Sequence, residues 1–123
     1  MFIISEISPQ HGGNISVAEQ MILQSKMAGA DAIKVQLYDP EQFNKPESHR
    51  MSLEQLTQLR DFADNLNIPL FATPFHAKYL EWCVKLDLKY MKVAARMHVG
   101  FPELTADIMS VGKPTFVSIP SGM

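Results

Sequence analysis

Five residues of this chain, Glu6, Lys34, Gln36, Thr73 and Lys92, are of types suited to handling a small anionic substrate. Lysine ammonium groups and a threonine hydroxyl hold phosphate or carboxylate oxygens through charge-assisted hydrogen bonds, and a nearby carboxylate can carry a proton. All five sit in or at the end of short apolar runs: Phe2-Ile3-Ile4-Ser5-Glu6, Ala32-Ile33-Lys34-Val35-Gln36, Leu70-Phe71-Ala72-Thr73-Pro74 and Tyr90-Met91-Lys92-Val93; a fifth run is Pro114-Thr115-Phe116-Val117-Ser118. A lysine inside an apolar strand is costly to bury without a partner. An ion pair between Lys34 and Glu6 on a neighbouring strand is the purely structural explanation. Lys92 repeats the pattern two strands later, which favours anion binding, and the two readings are compatible. Lys34 and Gln36 lie two apart, so on a strand they share a face.

The segments between these runs have helical periodicity. Residues 16–28 place Ala18, Met21, Ile22, Ser25 and Ala28 on one face, with Gly29 as the terminating residue. A second helix is expected from Ser52, where Ser52 and Gln55 form a capping-box pattern, with Leu53, Leu56, Leu59, Ala63 and Leu66 as its buried stripe and Pro69 blocking continuation. Residues 77–86 carry Tyr79, Trp82, Cys83 and Leu86 on one face, and residues 102–111 form a shorter helix with proline in its first turn and Gly112 beyond its end. The long connection, residues 38–51, is rich in Pro, Glu, Asn, His and Arg and follows the second strand.

Five strands and four helices in alternation predict an α/β fold of parallel βα units, with the chemistry at the carboxyl ends of the strands. A doubly wound five-stranded sheet would be complete at 123 residues, whereas this length is about the first half of a TIM (β/α)8 barrel. An open sheet would bury Lys34 and Gln36 under helices and a barrel turns them toward its mouth, so the half barrel is the expected fold, as a single domain over residues 1–123. Such a half leaves open edges and is expected to self-associate, to pair with a complementing chain or to be part of something longer.

Other signals are weaker. The segment Pro9-Gln10-His11-Gly12-Gly13-Asn14 could offer backbone N–H groups to an anion, but its spacing matches no dinucleotide or P-loop fingerprint. Thr73-Pro74, taken alone, is ordinary turn chemistry. His49, His76 and His98 have no metal-ligand spacing and read as surface or capping residues, and Cys83 reads as core. The composition, 46% hydrophobic and 20% charged with net charge −2, is that of a globular domain with no general attraction for nucleic acid or anionic membrane. One cysteine, no apolar stretch long enough to span a bilayer and no leader-like start predict a cytoplasmic protein.

Taken in order, Phe2-Ile3-Ile4-Ser5-Glu6, Gln10-His11-Gly12-Gly13, Ala28-Gly29-Ala30-Asp31-Ala32-Ile33-Lys34-Val35-Gln36, Ala72-Thr73-Pro74-Phe75, Tyr90-Met91-Lys92-Val93, Gly112-Lys113-Pro114 and Ser121-Gly122-Met123 resemble the first half of the barrel of the N-acetylneuraminate (sialic acid) synthase family. The resemblance implies condensation of phosphoenolpyruvate with an N-acetylated aminosugar, such as N-acetylmannosamine, to a nonulosonic acid. It implies Lys34, Thr73 and Lys92 as phosphoenolpyruvate contacts, Gln36 as a contact to the sugar or second substrate, and Glu6 as the carboxylate that positions reacting groups or relays a proton. It also implies a divalent metal, Mn2+ or Mg2+, whose histidine ligands in that family come later than this chain reaches. Two stretches depart from the family pattern. Ala94-Ala95-Arg96-Met97 stands where a Gly-Ser-Gly-Glu-like stretch is usual, and Pro120 stands where a serine is usual. These departures favour the alternative of a truncated or degenerate relative, acting as an anion-binding or assembly partner without turnover. A flavodoxin-like domain unrelated to sugars is a third reading.

Overall fold

The computed structural model describes residues 1–8 and 12–119. Residues Pro9, Gln10 and His11 of the glycine-bearing loop, Pro120, and the closing Ser121-Gly122-Met123 motif lie outside the described residues. The chain alternates β1 (Ile4–Glu6), α1 (Ile15–Met27), β2 (Ala32–Leu37), α2 (Leu53–Asn65), β3 (Leu70–Pro74), α3 (Ala77–Lys85), β4 (Met91–Val93), α4 (Met97–Gly100), α5 (Pro102–Ser110) and β5 (Thr115–Val117).

The helix boundaries follow local chemistry. The Asn14 side chain accepts the Val17 N–H at 3.2 Å at the start of α1, and Gly29, at φ +95°, takes the left-handed conformation beyond its end. The expected capping box opens α2: Ser52 Oγ accepts from the Gln55 N–H at 3.1 Å and Gln55 Oε1 accepts from the Ser52 N–H at 2.9 Å. Leu56, Leu59 and Ala63 are its buried stripe, while Leu53 and Leu66 at its ends are half-buried. His76 caps α3 by accepting the Lys78 N–H at 3.1 Å.

Four helices were expected, and five α-helices are present among the described residues because the single turn α4 precedes α5; the connection after β2 also holds two 3-10 turns, Pro40–Gln42 and Glu47–His49. Met97 is fully buried and its sulfur accepts the Ala94 N–H at 3.3 Å, which pins the turn. A four-residue helix is too short to leave a periodic signature.

All five strands are parallel and their spatial order is β1-β2-β3-β4-β5. A doubly wound sheet reverses its strand order partway, which places helices on both faces. Here every strand adds to the same edge, and right-handed crossovers then put every helix on one side of the sheet. The sheet is a half barrel with an open inner face. Ile33, Val35 and Leu37 of β2 are buried on the outer face with Ile22, Leu56, Leu59 and Ala63 in one apolar cluster. Ser5, also turned outward, shares a 2.7 Å hydrogen bond with Ser25 of α1.

The connection after β2 is folded down by charge. Asp39 accepts from Tyr79 OH at 2.6 Å and pairs with Lys78 at 2.8 Å and Arg50 at 3.1 Å, and Arg50 also pairs with Glu41 and Glu47. Hydrogen bonding to Lys78 and Tyr79 holds the Asp39 carboxyl below its usual range. Gly13 packs against this connection: a Cβ there would lie 2.5 Å from the Ser48 carbonyl oxygen, and its φ is +81°. Close packing therefore requires a glycine at this position.

Candidate functional site

Register determines which residues share the inner face, because in-register neighbours in a parallel sheet point the same way. Glu6 pairs with Lys34, Lys34 with Phe71, Gln36 with Thr73, and Lys92 with Phe116. The strands then read as an apolar or aromatic residue followed two positions later by a polar one: Ile4 and Glu6, Ala32 and Lys34, Phe71 and Thr73, Tyr90 and Lys92, Phe116 and Ser118. The apolar members make a floor in which the rings of Phe71, Tyr90 and Phe116 meet with centroids 5.5–5.6 Å apart, and Phe2 adds contacts to Tyr90 and Phe116. The polar members make a rim toward the strands' carboxyl ends.

Of the five residues singled out in the sequence, three form a directly bonded group. Lys34 Nζ lies 2.9 Å from Glu6 Oε2 and donates to Thr73 Oγ1 at 3.2 Å. Thr73 is fully buried, so its hydroxyl meets Lys34 rather than solvent. Lys92 does not touch this group; its ammonium bonds Ser118 Oγ and the Val93 carbonyl, the latter at 3.2 Å. Charge nevertheless couples it to Lys34 and Glu6. Gln36 stands apart, lining an adjacent cleft of about 330 Å3 with Tyr38 and Arg96.

The electrostatics follow from the aromatic floor. Burial raises the Glu6 carboxyl above its ordinary 4.5, and Lys34, the Ser8 backbone and Lys92 pull it only part of the way back. Both Glu6 oxygens are out of solvent, and the Lys34 charge is the largest of the influences that oppose the rise. Burial, together with the Lys34 charge, lowers the Lys92 ammonium below its ordinary 10.5. The rim holds one carboxylate and two ammonium groups, and the uncompensated positive charge favours an anion.

Ser118 was not counted among the rim residues from sequence, although its signal was available: it follows Phe116 by two positions, as Thr73 follows Phe71. The Ser118 carbonyl also bonds His98 Nε2 at 2.8 Å, which ties α4 to the end of β5. Met97, where an acid is usual in the resembled family, points into the core. Cys83 is buried, with its thiol pushed up to about 12 by desolvation, and is a core residue. Among the described residues no cluster of three His, Cys, Asp or Glu side chains fits a metal ion, and no helix is long and apolar enough to cross a membrane. A larger surface cleft, about 750 Å3, lies on the helical outside against α1 and α2, so size does not locate this site.

Sequence and structure comparisons bear on the family and the fold. The profile of the NeuB family matches residues 42–123. The chain is 30% identical over 125 residues to an uncharacterized protein of Methanocaldococcus jannaschii, covering 95% of this chain and 37% of that one. It is 29% identical over 140 residues to the pseudaminic acid synthase of Campylobacter jejuni, covering 96% and 40%. Its fold superposes with a TM-score of 0.88 on a sialic acid synthetase of Leptospira borgpetersenii solved in complex with citrate, at 27% identity, covering 99% of this chain and 45% of that one. The chain spans less than half the length of these relatives.

Proposed function

The chain belongs to the NeuB family, and from that premise we propose that its rim is the phosphoenolpyruvate half-site of a sialic-acid-synthase-like condensing enzyme. The observation that carries this is Lys92, a desolvated ammonium with no carboxylate partner among the described residues, facing the same space as the Lys34–Glu6 pair. Phosphoenolpyruvate is a compact phosphate-carboxylate, and it would satisfy both ammonium groups and the hydroxyls of Thr73 and Ser118. The citrate reported with the Leptospira protein is likewise a small polyanion of carboxylates. The second substrate is an N-acetylated aminosugar presented to the same rim.

In this reading Lys34 and Lys92 orient the donor and offset its charge, and the aromatic floor keeps water from its apolar side. Glu6, raised above an ordinary glutamate, is suited to accept a proton from, or return one to, a sugar hydroxyl. The divalent metal implied by the resemblance finds no ligand set among the described residues: the rim offers one carboxylate, already paired with an ammonium.

Among the described residues, β1 and β5 each have a neighbouring strand on one side only. Phe2 and Ile3 beside β1 are 47% and 48% exposed, and Ile119 beyond β5 is 69% exposed. Further barrel strands would cover them, supplied by a longer chain, a complementing chain or a second copy. The isolated chain should therefore self-associate with rising concentration in sedimentation; a monomer at high concentration would count against open edges.

The direct test is calorimetric titration with phosphoenolpyruvate, with and without manganese. Metal-independent binding is expected, and replacing Lys34 or Lys92 with Met should weaken it by about 1.5–3 kcal/mol. Variants that bind like the parent would refute the assignment. A second reading, anion binding without turnover, is favoured by Ala94 and Ala95, which bring no polar side chain to the exit of β4. Phosphate release on mixing both substrates separates the two readings.

A further inference from the structure

The Lys92 ammonium is aimed from β5, and the residue that aims it is itself held from α4. Ala94 and Ala95, which follow β4, have no polar side chain with which to hold it. Lys92 Nζ instead bonds Ser118 Oγ and the Val93 carbonyl. Ser118 is fixed at three points: its N–H donates to the same Val93 carbonyl at 3.0 Å, its hydroxyl meets Lys92, and its carbonyl accepts from His98 Nε2 at 2.8 Å. A carbonyl only accepts, so Nε2 carries the proton in this bond.

Ser118 follows the last residue of β5, a strand with a neighbour only on its β4 side among the described residues, and such strand ends fray unless they are tied down. The turn that carries His98 is anchored on the core. Met97 is fully buried, its sulfur accepts the Ala94 N–H at 3.3 Å, and its carbonyl accepts the Thr105 hydroxyl at 3.0 Å. His98 therefore ties a mobile kind of position, the end of an edge strand, to a rigid one. The N–H bond fixes one side of Ser118 and the His98 bond fixes the other, and together they set the direction in which Oγ points.

We propose that His98 is a positioning residue of the anion site: by holding the Ser118 carbonyl from α4, it fixes the hydroxyl that aims Lys92 at the donor. This inference rests on the reading of the lysine rim as the phosphoenolpyruvate site. His98 acts on the ligand through Ser118 and Lys92 and does not touch it. A glutamine amide reaches the place of Nε2 and donates the same bond, whereas the shorter asparagine amide does not. His98 is half-buried, so both amides fit, and circular dichroism with thermal melting verifies that the variants fold.

The test titrates the full 123-residue chain and its variants with phosphoenolpyruvate by calorimetry. His98→Asn and His98→Leu should each weaken binding about fivefold, the scale of one hydrogen bond, and His98→Gln should stay within about twofold of the parent. In a Ser118→Ala background the His98→Asn change should cost less than about twofold, because the hydroxyl it orients is gone. A histidine that merely supported the fold would lower the melting temperature and leave the affinity of the folded chain unchanged. If His98→Leu fails to fold, the asparagine and glutamine pair decides. Imidazole nitrogen resonances should show the neutral ring protonated at Nε2, and protonation at Nδ1 alone would overturn the proposal. Parent-like binding in His98→Asn, no recovery in His98→Gln, or equal losses with and without the Ser118 hydroxyl would also overturn it, while the donor-site reading would stand. A parent chain that binds no phosphoenolpyruvate would sink the donor-site reading, and this proposal with it.

Discussion

Lys34 and Lys92 are the same residue on the same inner face, each one strand in from an edge of the sheet, yet their surroundings differ. Lys34 has a carboxylate at 2.9 Å and a buried threonine hydroxyl at 3.2 Å. Lys92 has a serine hydroxyl and a carbonyl, both neutral. One ammonium is part of the fold's own charge balance. The other has no carboxylate within ion-pair distance among the described residues, and burial lowers its proton affinity. Removing them should therefore have different consequences: Lys34 supports both structure and ligand, whereas Lys92 costs stability in the free protein and is repaid only when an anion arrives.

The largest expected difference is in stability. Lys34→Met leaves Glu6 buried without its counter-charge and should destabilise the chain by about 2–3 kcal/mol, less than for a fully enclosed pair. Adding Glu6→Gln should recover most of that loss in urea denaturation. Lys92→Met should leave stability equal to or above the parent's. If both single variants are equally destabilised, the distinction between the two lysines fails.

Binding should sharpen the contrast. In Lys92→Met the loss of phosphoenolpyruvate affinity, about 1.5–3 kcal/mol, should come with no loss of melting temperature. A binding loss accompanied by partial unfolding would mean that Lys92 is structural after all.

The pH dependence carries opposite signs at the two positions. The Glu6 pKa is raised in the folded state, so its contribution to stability is fully present below 4.5 and is lost as pH rises through the folded value. The Lys92 pKa is lowered, so its penalty persists below the folded value and is relieved as pH rises toward 10.5. Denaturation series across pH should show the alkaline rise in the parent and its absence in Lys92→Met. Carboxyl resonances should place Glu6 above 4.5 in the parent and higher still in Lys34→Met, because the Lys34 charge opposes the rise.

The smallest expected effect separates the neutral partners. Ser118→Ala removes one hydroxyl from Lys92 and should weaken phosphoenolpyruvate binding by about 1 kcal/mol with little change in stability. An unchanged affinity would show that Ser118 orients Lys92 without meeting the ligand.

Much of this arrangement was legible in the residues. The capping box at Ser52, the terminating Gly29 and the stripe through Leu56, Leu59 and Ala63 are local signals and appear in place. The missed turn at Met97 has a different cause: it is held by a buried sulfur, and one turn has no period to read. Placing polar residues at strand ends predicted the rim, but could not tell that Gln36 leaves it for the neighbouring cleft or that Ser118 joins it.

The sequence by itself determined the alternation of strands and helices and, through the two-residue spacing of aromatic and polar side chains, that one sheet face would carry a rim above an apolar floor. Periodicity and spacing are properties of neighbours in the chain, so they can be read from it. Only the tertiary structure decided that the strands run in the order β1-β2-β3-β4-β5, which makes the sheet a half barrel rather than a doubly wound one. It alone paired Lys34 with Glu6, gave Lys92 neutral partners and brought Arg96 to Phe43. Those contacts join residues that register and crossover handedness bring together from distant positions, and no local pattern records them.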